Sequence, residues 1–298
     1  MSKLDLDFVS IPEGSFLKGS FDFYPEEAPT KIVDVSSFSV SRFPITNRQF
    51  DIFVKDTGYR TTAELELTPE EFPNLTNAER NPGSLVFVMT DGPVNLNNWQ
   101  NWWKWKQGAS WKIPGFKEIS YLDILDHPVT QISIKDAETF AKWAGCRLLT
   151  EDEWEYASGS DLSPTTYSWG TELMPNGIKQ ANYWSGKFPY QNTGLYWETG
   201  TSPVGSFPAN KYGLYDMIGN VWEWTSTMRG SNFEKQCLCS PVETFSITSE
   251  RDRNVEYVTK GGSFLCSEEY CKRYRPAAKS FQNTSSSTCN LGFRVAKD

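Results

Sequence analysis

Only three short stretches of this chain carry a helical pattern, so most of it must fold as turns, short strands and loops. TNRQFDIFVKDTG offers Thr46 as a cap, Phe50, Phe53 and Val54 on one face, and Gly58 as a stop. SIKDAETFAKWAG repeats the plan, with Ser133 as cap, Phe140, Ala141 and Ala144 inside, and Gly145 as stop. TEDEWEYASG follows at once, with Thr150 and Glu153 as a capping-box pair. KIVDVSSFSVSRF alternates apolar and polar residues and is expected as a half-buried strand. From about residue 160 onward the pattern is turns and short strands.

The 298 residues can bury a substantial core, and 12 Trp, 13 Tyr and 19 Phe supply it. No linker, repeat or low-complexity tract divides the chain. The expectation is one α+β domain over residues 1–298 with little regular secondary structure. A net charge of −8 and a pI near 5.0 repel phosphate backbones, so nucleic acid is not expected as a partner. MSKLDLDFVSIPEGSF lacks an apolar core of signal-peptide length, and no stretch is apolar enough to span a membrane. Six cysteines are sparse for this length, which predicts free thiols in a reducing, cytoplasmic setting. The glycosylation-type triplets at Asn74 and Asn283 read as chance.

His127 stands alone as the chain's only histidine. That excludes three-histidine zinc and two-histidine iron sites, and His127 itself, before Pro128, reads as structural. No phosphate-binding glycine motif opens a helix. GGSFLCSEEYCKRYR places Cys266 and Cys271 five positions apart. Two thiols and no imidazole suit a soft, low-coordinate ion, with Cu(I) the leading candidate. A labile disulfide, a redox pair, unrelated thiols, or a zinc half-site completed by Cys237 and Cys239 are the other readings. In KYGLYDMIGNVWEWT, Asp216 and Glu223 bracket a tight turn through Gly219, an arrangement Ca²⁺ favours and solvated acidic turns also show. In NNWQNWWKWKQGASW, core packing is the ordinary fate of a tryptophan. Adjacent Trp102 and Trp103 cannot both point inward on a strand, however, so one of them is expected at a surface groove.

Beyond these separate readings, IPEGSFLKGS, FPITNRQF, GPVNLNNWQNWWKW, DHPVTQIS, RLLTEDEWEYAS, YGLYDMIGNVWEWT, KGGSFLC and NLGFR together resemble the formylglycine-generating enzymes, also called sulfatase-modifying factors. The resemblance runs through nearly the whole chain. It implies a fold distantly like C-type lectins. It also implies an O2-dependent oxidase that converts the cysteine of a Cys-x-Pro-x-Arg motif in a client sulfatase to Cα-formylglycine. Cys266 and Cys271 would hold Cu(I), Ser263 and Asn290 would border the oxygen and thiol pocket, and Trp102 and Trp103 would line the client groove. One structural Ca²⁺ would sit at Asp216, Gly219, Val221 and Glu223, with Asp216 replacing a usual Asn. A second would use Asn182 and the Tyr183 carbonyl.

The chain departs from the family at several points. Ser267 stands where a histidine often follows the first active cysteine. The disulfide positions of secretory members correspond to Ala141 with Val295 and Ser158 with Pro276, so neither bridge can form. The acidic ligand of the second calcium falls on Tyr196, with Glu198 two residues on, which predicts a weak or empty site. Cys146, Cys237, Cys239 and Cys289 have no assigned role. The competing reading is a non-enzymatic ligand-binding module on the same fold, and such relatives lack the cysteine pair. A sulfoxide synthase on a related domain would need several histidines.

Overall fold

The computed structural model describes residues 4–69, 76, 80–115, 119–196, 200–230 and 255–298. Asn74, Glu198, Cys237 and Cys239 therefore lie outside the described residues. The elements in chain order are β1 (Phe8–Ile11), β2 (Gly14–Lys18), β3 (Lys31–Val35), β4 (Phe38–Ser41), α1 (Asn47–Thr57), β5 (Gly83–Phe87) and β6 (Trp103–Gln107). Then follow α2 (Ile134–Trp143), α3 (Glu151–Ala157), β7 (Trp222–Met228), β8 (Glu256–Lys260), β9 (Lys279–Asn283), β10 (Leu291–Gly292) and β11 (Ala296–Lys297). Short helices and small sheets joined by long irregular segments match the expected α+β class.

All three helices start at the predicted caps. Thr46 Oγ1 accepts the Gln49 N–H at 3.2 Å and Gln49 Oε1 accepts the Thr46 N–H at 3.0 Å. Ser133 with Asp136 and Thr150 with Glu153 form the same reciprocal box. Each cap stabilises its helix by about 1 kcal/mol. Gly58 ends α1 in the left-handed conformation. Phe50 and Phe53 of α1 then meet Phe140 of α2, with Trp111 and Phe293 completing one aromatic core. Such ring pairs contribute about 0.5–1.5 kcal/mol each beyond their buried area.

The expected single strand over KIVDVSSFSVSRF is two. β3 pairs with β2, whereas β4 pairs with β1 and β11. Val35 and Phe38 are both buried, and a two-residue period cannot bring positions three apart to one face. The exposed Ser36–Ser37 pair interrupts the strand and lets the chain change sheets.

The sheet that positions the site has the order β10-β7-β8-β9. β8 runs antiparallel to β7, and β10 runs parallel to it. The C-terminal end of β8 and the N-terminal ends of β7 and β10 therefore share one edge.

Candidate active site

Three segments meet at that edge. Asn220 precedes β7, Asn290 precedes β10, and Gly261-Gly262-Ser263 leaves β8. The Asn220 carbonyl accepts the Phe264 N–H at 3.0 Å, and the Asn290 carbonyl accepts the Trp222 N–H at 2.8 Å. The double glycine is dictated by crowding and handedness. Gly261 and Gly262 have φ of 93° and 73°. A Cβ on Gly262 would lie 2.9 Å from the Arg273 carbonyl oxygen and 3.0 Å from Tyr274 Cα. Only bare backbone lets the end of β8 slide beneath CKRYR.

Past Ser263 the chain coils once and returns. Ser267 Oγ accepts the Tyr270 N–H at 3.1 Å, and the Ser267 carbonyl accepts the Cys271 N–H at 3.0 Å. Ser267 thus caps the turn that brings Cys271 back over Cys266. The two sulfurs stand 3.2 Å apart, both buried and both free thiols. The Ser263 N–H points at Cys266 Sγ from 3.4 Å. Asn290 Nδ2 donates to Ser263 Oγ at 3.0 Å, and the Leu265 N–H does so at 3.3 Å. Ser263 Oγ accepts both, which leaves its own hydrogen to donate. Thr288 Oγ1 orients Asn290 through a 2.8 Å bond to Oδ1.

Burial pushes the Cys266 thiol well above its ordinary range, and the neighbouring Cys271 adds to the rise. The Ser263 N–H and the Arg273 charge pull the other way. Arg273 is itself fixed by Glu26, with bonds of 3.2 and 2.5 Å, and its guanidinium lies 3.7 Å over the Tyr24 ring. Arg275 pairs with Glu27 beside it. The acidic PEE turn was the sequence signal for these partners. Among the described residues no three His, Cys, Asp or Glu side chains converge as a metal cluster. Among the described residues the donor set is thus two soft sulfurs in a buried setting, which fits Cu(I), while the zinc alternative with Cys237 and Cys239 falls outside the described residues.

A family model for the sulfatase-modifying factor enzyme 1-like domain matches residues 3–298. The chain belongs to the sulfatase-modifying factor family. It is 46% identical over 296 residues to the formylglycine-generating enzyme of Mycobacterium tuberculosis, covering 98% of each chain. It is 40% identical to that of Thermomonospora curvata, over 97% of this chain and 93% of the other. The solved structure of PvdO from Pseudomonas aeruginosa superposes with a TM-score of 0.58 at 22% identity, over 98% of this chain and 94% of that one, a likeness of fold alone.

The family's paired tryptophans are both buried here, with Trp102 at 0% and Trp103 at 4% exposure. The expectation of one at the surface is corrected, because Trp102 does not lie on a strand. It closes the 3-10 turn Trp99–Asn101 at φ −127°, ψ −7°, and β6 begins only at Trp103. Both rings enter a second apolar cluster with Phe87, Trp184, Phe188, Phe264 and Leu265. Tyr270, from inside the cysteine turn, stacks on Phe188 at 4.7 Å. Sequence reasoning had no signal for Tyr270, since a lone tyrosine between charged residues reads as surface.

The turn at which the resemblance implies calcium is tightly coiled, with Asp216, Gly219 and Asn220 at φ of 54°, 76° and 60°. Asp216 accepts the Gly205 N–H at 2.7 Å, and burial pushes its carboxyl up to about 6, with the Glu223 charge adding to the rise. Glu223 is engaged elsewhere. Arg294 Nε and Nη2 hold its two oxygens at 2.7 and 2.8 Å, and Trp154 Nε1 adds a third bond at 2.7 Å. The donors that suit a hard cation are Asp216 and nearby carbonyls, with Glu223 committed to Arg294.

At the position where the resemblance implies a second calcium, the described oxygens are already engaged. The Tyr183 carbonyl accepts Lys179 Nζ at 2.6 Å. The Asn182 carbonyl accepts the Asn220 N–H at 2.8 Å, and its side-chain amide donates to the Gly200 carbonyl at 2.9 Å. Tyr196 packs edge-on against Phe207. His127 is buried, its Nδ1 2.9 Å from Thr201 Oγ1, and burial pushes its pKa down to about 4. Ala141 and Val295 share the main core cluster, so apolar packing fills one disulfide position of the secretory members. Cys289 accepts the Phe87 N–H at 3.3 Å, and burial pushes its thiol up to about 12. It and the partly exposed Cys146 lie apart from the catalytic turn in sequence, and both are free.

Proposed function

We propose that this chain is a formylglycine-generating oxidase that uses Cu(I) and O2 on the cysteine of a Cys-x-Pro-x-Arg motif in a sulfatase. The relatives named formylglycine-generating enzyme support the overall conversion. The observation that carries the chemistry is the buried Cys266–Cys271 pair at 3.2 Å, backed by Ser263 and Asn290. Cys266 and Cys271 would hold the copper, which when bound supplies a site for the client thiolate and for O2 activation. The chain's own groups do the rest. The Ser263 N–H and the Arg273 charge favour the anionic form of Cys266 against its burial. The Ser263 hydroxyl, oriented by Asn290, offers a buried donor on the residue whose N–H faces Cys266. Packing in the main core, bordered by Tyr270, keeps water from the sulfurs.

The client side chain loses its thiol proton and one Cβ hydrogen, and the two protons and two electrons reduce O2 to H2O2. The resulting C=S bond adds water, and H2S leaves as the aldehyde C=O forms. The test is incubation with a Cys-x-Pro-x-Arg peptide, Cu(I) and air. A mass change matching thiol-to-aldehyde conversion supports the reading, and an unchanged peptide overturns it.

The free thiols agree with a reducing cytoplasm as the working compartment. Asp216 with the Gly219 and Val221 carbonyls would hold one structural Ca²⁺, whose charge would compensate the buried carboxylates. Metal counting on dialysed protein, compared with Asp216→Ala, tests this.

A further inference from the structure

We propose that the Lys179 ammonium is a built-in cation that replaces a second structural Ca²⁺ and fixes the backbone on which the cysteine turn rests. Two of its three donors are engaged in a compact cage. One goes to the Tyr183 carbonyl at 2.6 Å and one to Ser185 Oγ at 2.7 Å. The nitrogen also stands 4.2 Å from the Tyr183 ring centre, a cation–π contact. Gly194 closes the cage from outside, since a Cβ there would lie 3.7 Å from Nζ.

An ammonium this close to the Tyr183 carbonyl occupies the place a metal ion would need, and a divalent ion beside it would meet direct charge repulsion. Tyr196, where the resemblance places the acidic ligand, packs against Phe207 instead, and Glu198 lies outside the described residues. A single positive charge needs no carboxylate. Two neutral oxygens and a ring face suffice.

The consequence reaches the active site through one residue. Lys179 grips Tyr183 and Ser185, and between them the Trp184 N–H donates to the Cys266 carbonyl at 3.0 Å. The backbone under the first cysteine is therefore held by a lysine, independent of calcium supply. Lys179 acts here as a positioning residue.

Two measurements on the full chain decide this. Native mass spectrometry in 1 mM free Ca²⁺ (order of magnitude set by weak Ca²⁺ modules) is expected to show at most one bound ion. Two ions per chain would overturn the proposal. Hydrogen exchange of amides 183–185 is expected to be unchanged by chelator in the wild type and about tenfold faster in Lys179→Met. Protection in an Asp216→Ala background that collapses on chelation and returns with Ca²⁺ would show a metal at this turn and overturn it. Unchanged protection in Lys179→Met would do so equally. If that variant fails to fold, the ion count and the chelator response of the calcium-free background still decide.

Discussion

Trp102 stands edge-on to Tyr270, with ring centres 5.2 Å apart, and Tyr270 immediately precedes Cys271 in the chain. The aromatic cluster and the main core that holds the thiol pair therefore meet at Tyr270. Replacing Trp102 with Ala should cost about 3–5 kcal/mol of stability through the cavity it leaves. It should also lower turnover by loosening the cysteine turn. Thermal unfolding and kinetics together check this. A variant with wild-type Tm and raised KM alone would instead place the indole at the client surface.

Cys266→Ser and Cys271→Ser should each abolish turnover and sharply weaken Cu(I) binding, because a two-sulfur site has no spare ligand. The fold should survive, since Ser is close in size to Cys. Circular dichroism, a Cu(I) competition titration and the peptide assay are the measurements. Undiminished activity in either variant would falsify the role of the pair.

Metal-free protein should regain activity with Cu(I) and not with Zn²⁺ or Fe²⁺, given two sulfurs and no imidazole at the site. Titration of the apo form with an activity readout decides. Full activity in rigorously copper-free protein would exclude the copper reading.

His127 should make stability fall in acid. Its pKa is lowered to about 4 in the fold, against an ordinary value of 6.5. Between these values the unfolded chain binds the extra proton, so stability is retained above 6.5 and lost as the pH falls toward 4. The full loss is about 3 kcal/mol from this group. His127→Asn should flatten denaturant midpoints across that window relative to wild type. Parallel pH profiles for the two proteins would rule the contribution out.

Gly262→Ala should damage the site from beneath. The residue sits at φ 73°, and the added methyl would press on the backbone of Arg273 and Tyr274. A cost of about 1–3 kcal/mol is expected from the backbone conformation alone. A lowered Tm with weakened Cu(I) binding is the expected pair of results, and an unperturbed variant would show that the CKRYR segment yields freely.

What the sequence made legible was local. Thr46, Ser133 and Thr150 cap their helices as read, because caps are set by neighbours three residues away. The cysteine pair was also legible, since one turn of chain spans it. What escaped depended on distant segments. The break at Ser36–Ser37 follows from β4 joining β1 and β11, partners that no local pattern names. The burial of Trp102 follows from a 3-10 turn closing just before β6. The engagement of Glu223 by Arg294, and of the Tyr183 carbonyl by Lys179, required the folded chain. A motif names potential ligands, but only the surroundings show which of them are already taken.

The pairing of Glu26 with Arg273 joins residues 247 positions apart. Closing so long a loop is entropically costly, and folds dominated by such contacts form slowly. Both thiols are made well after Glu26, so the carboxylate that fixes Arg273 waits while the intervening chain is added. During the search for that partner, Cys266 and Cys271 are ordinary exposed sulfhydryls, open to wrong metals and to oxidation. The interval between synthesis and closure is thus the enzyme's most vulnerable period, and its length is set by topology.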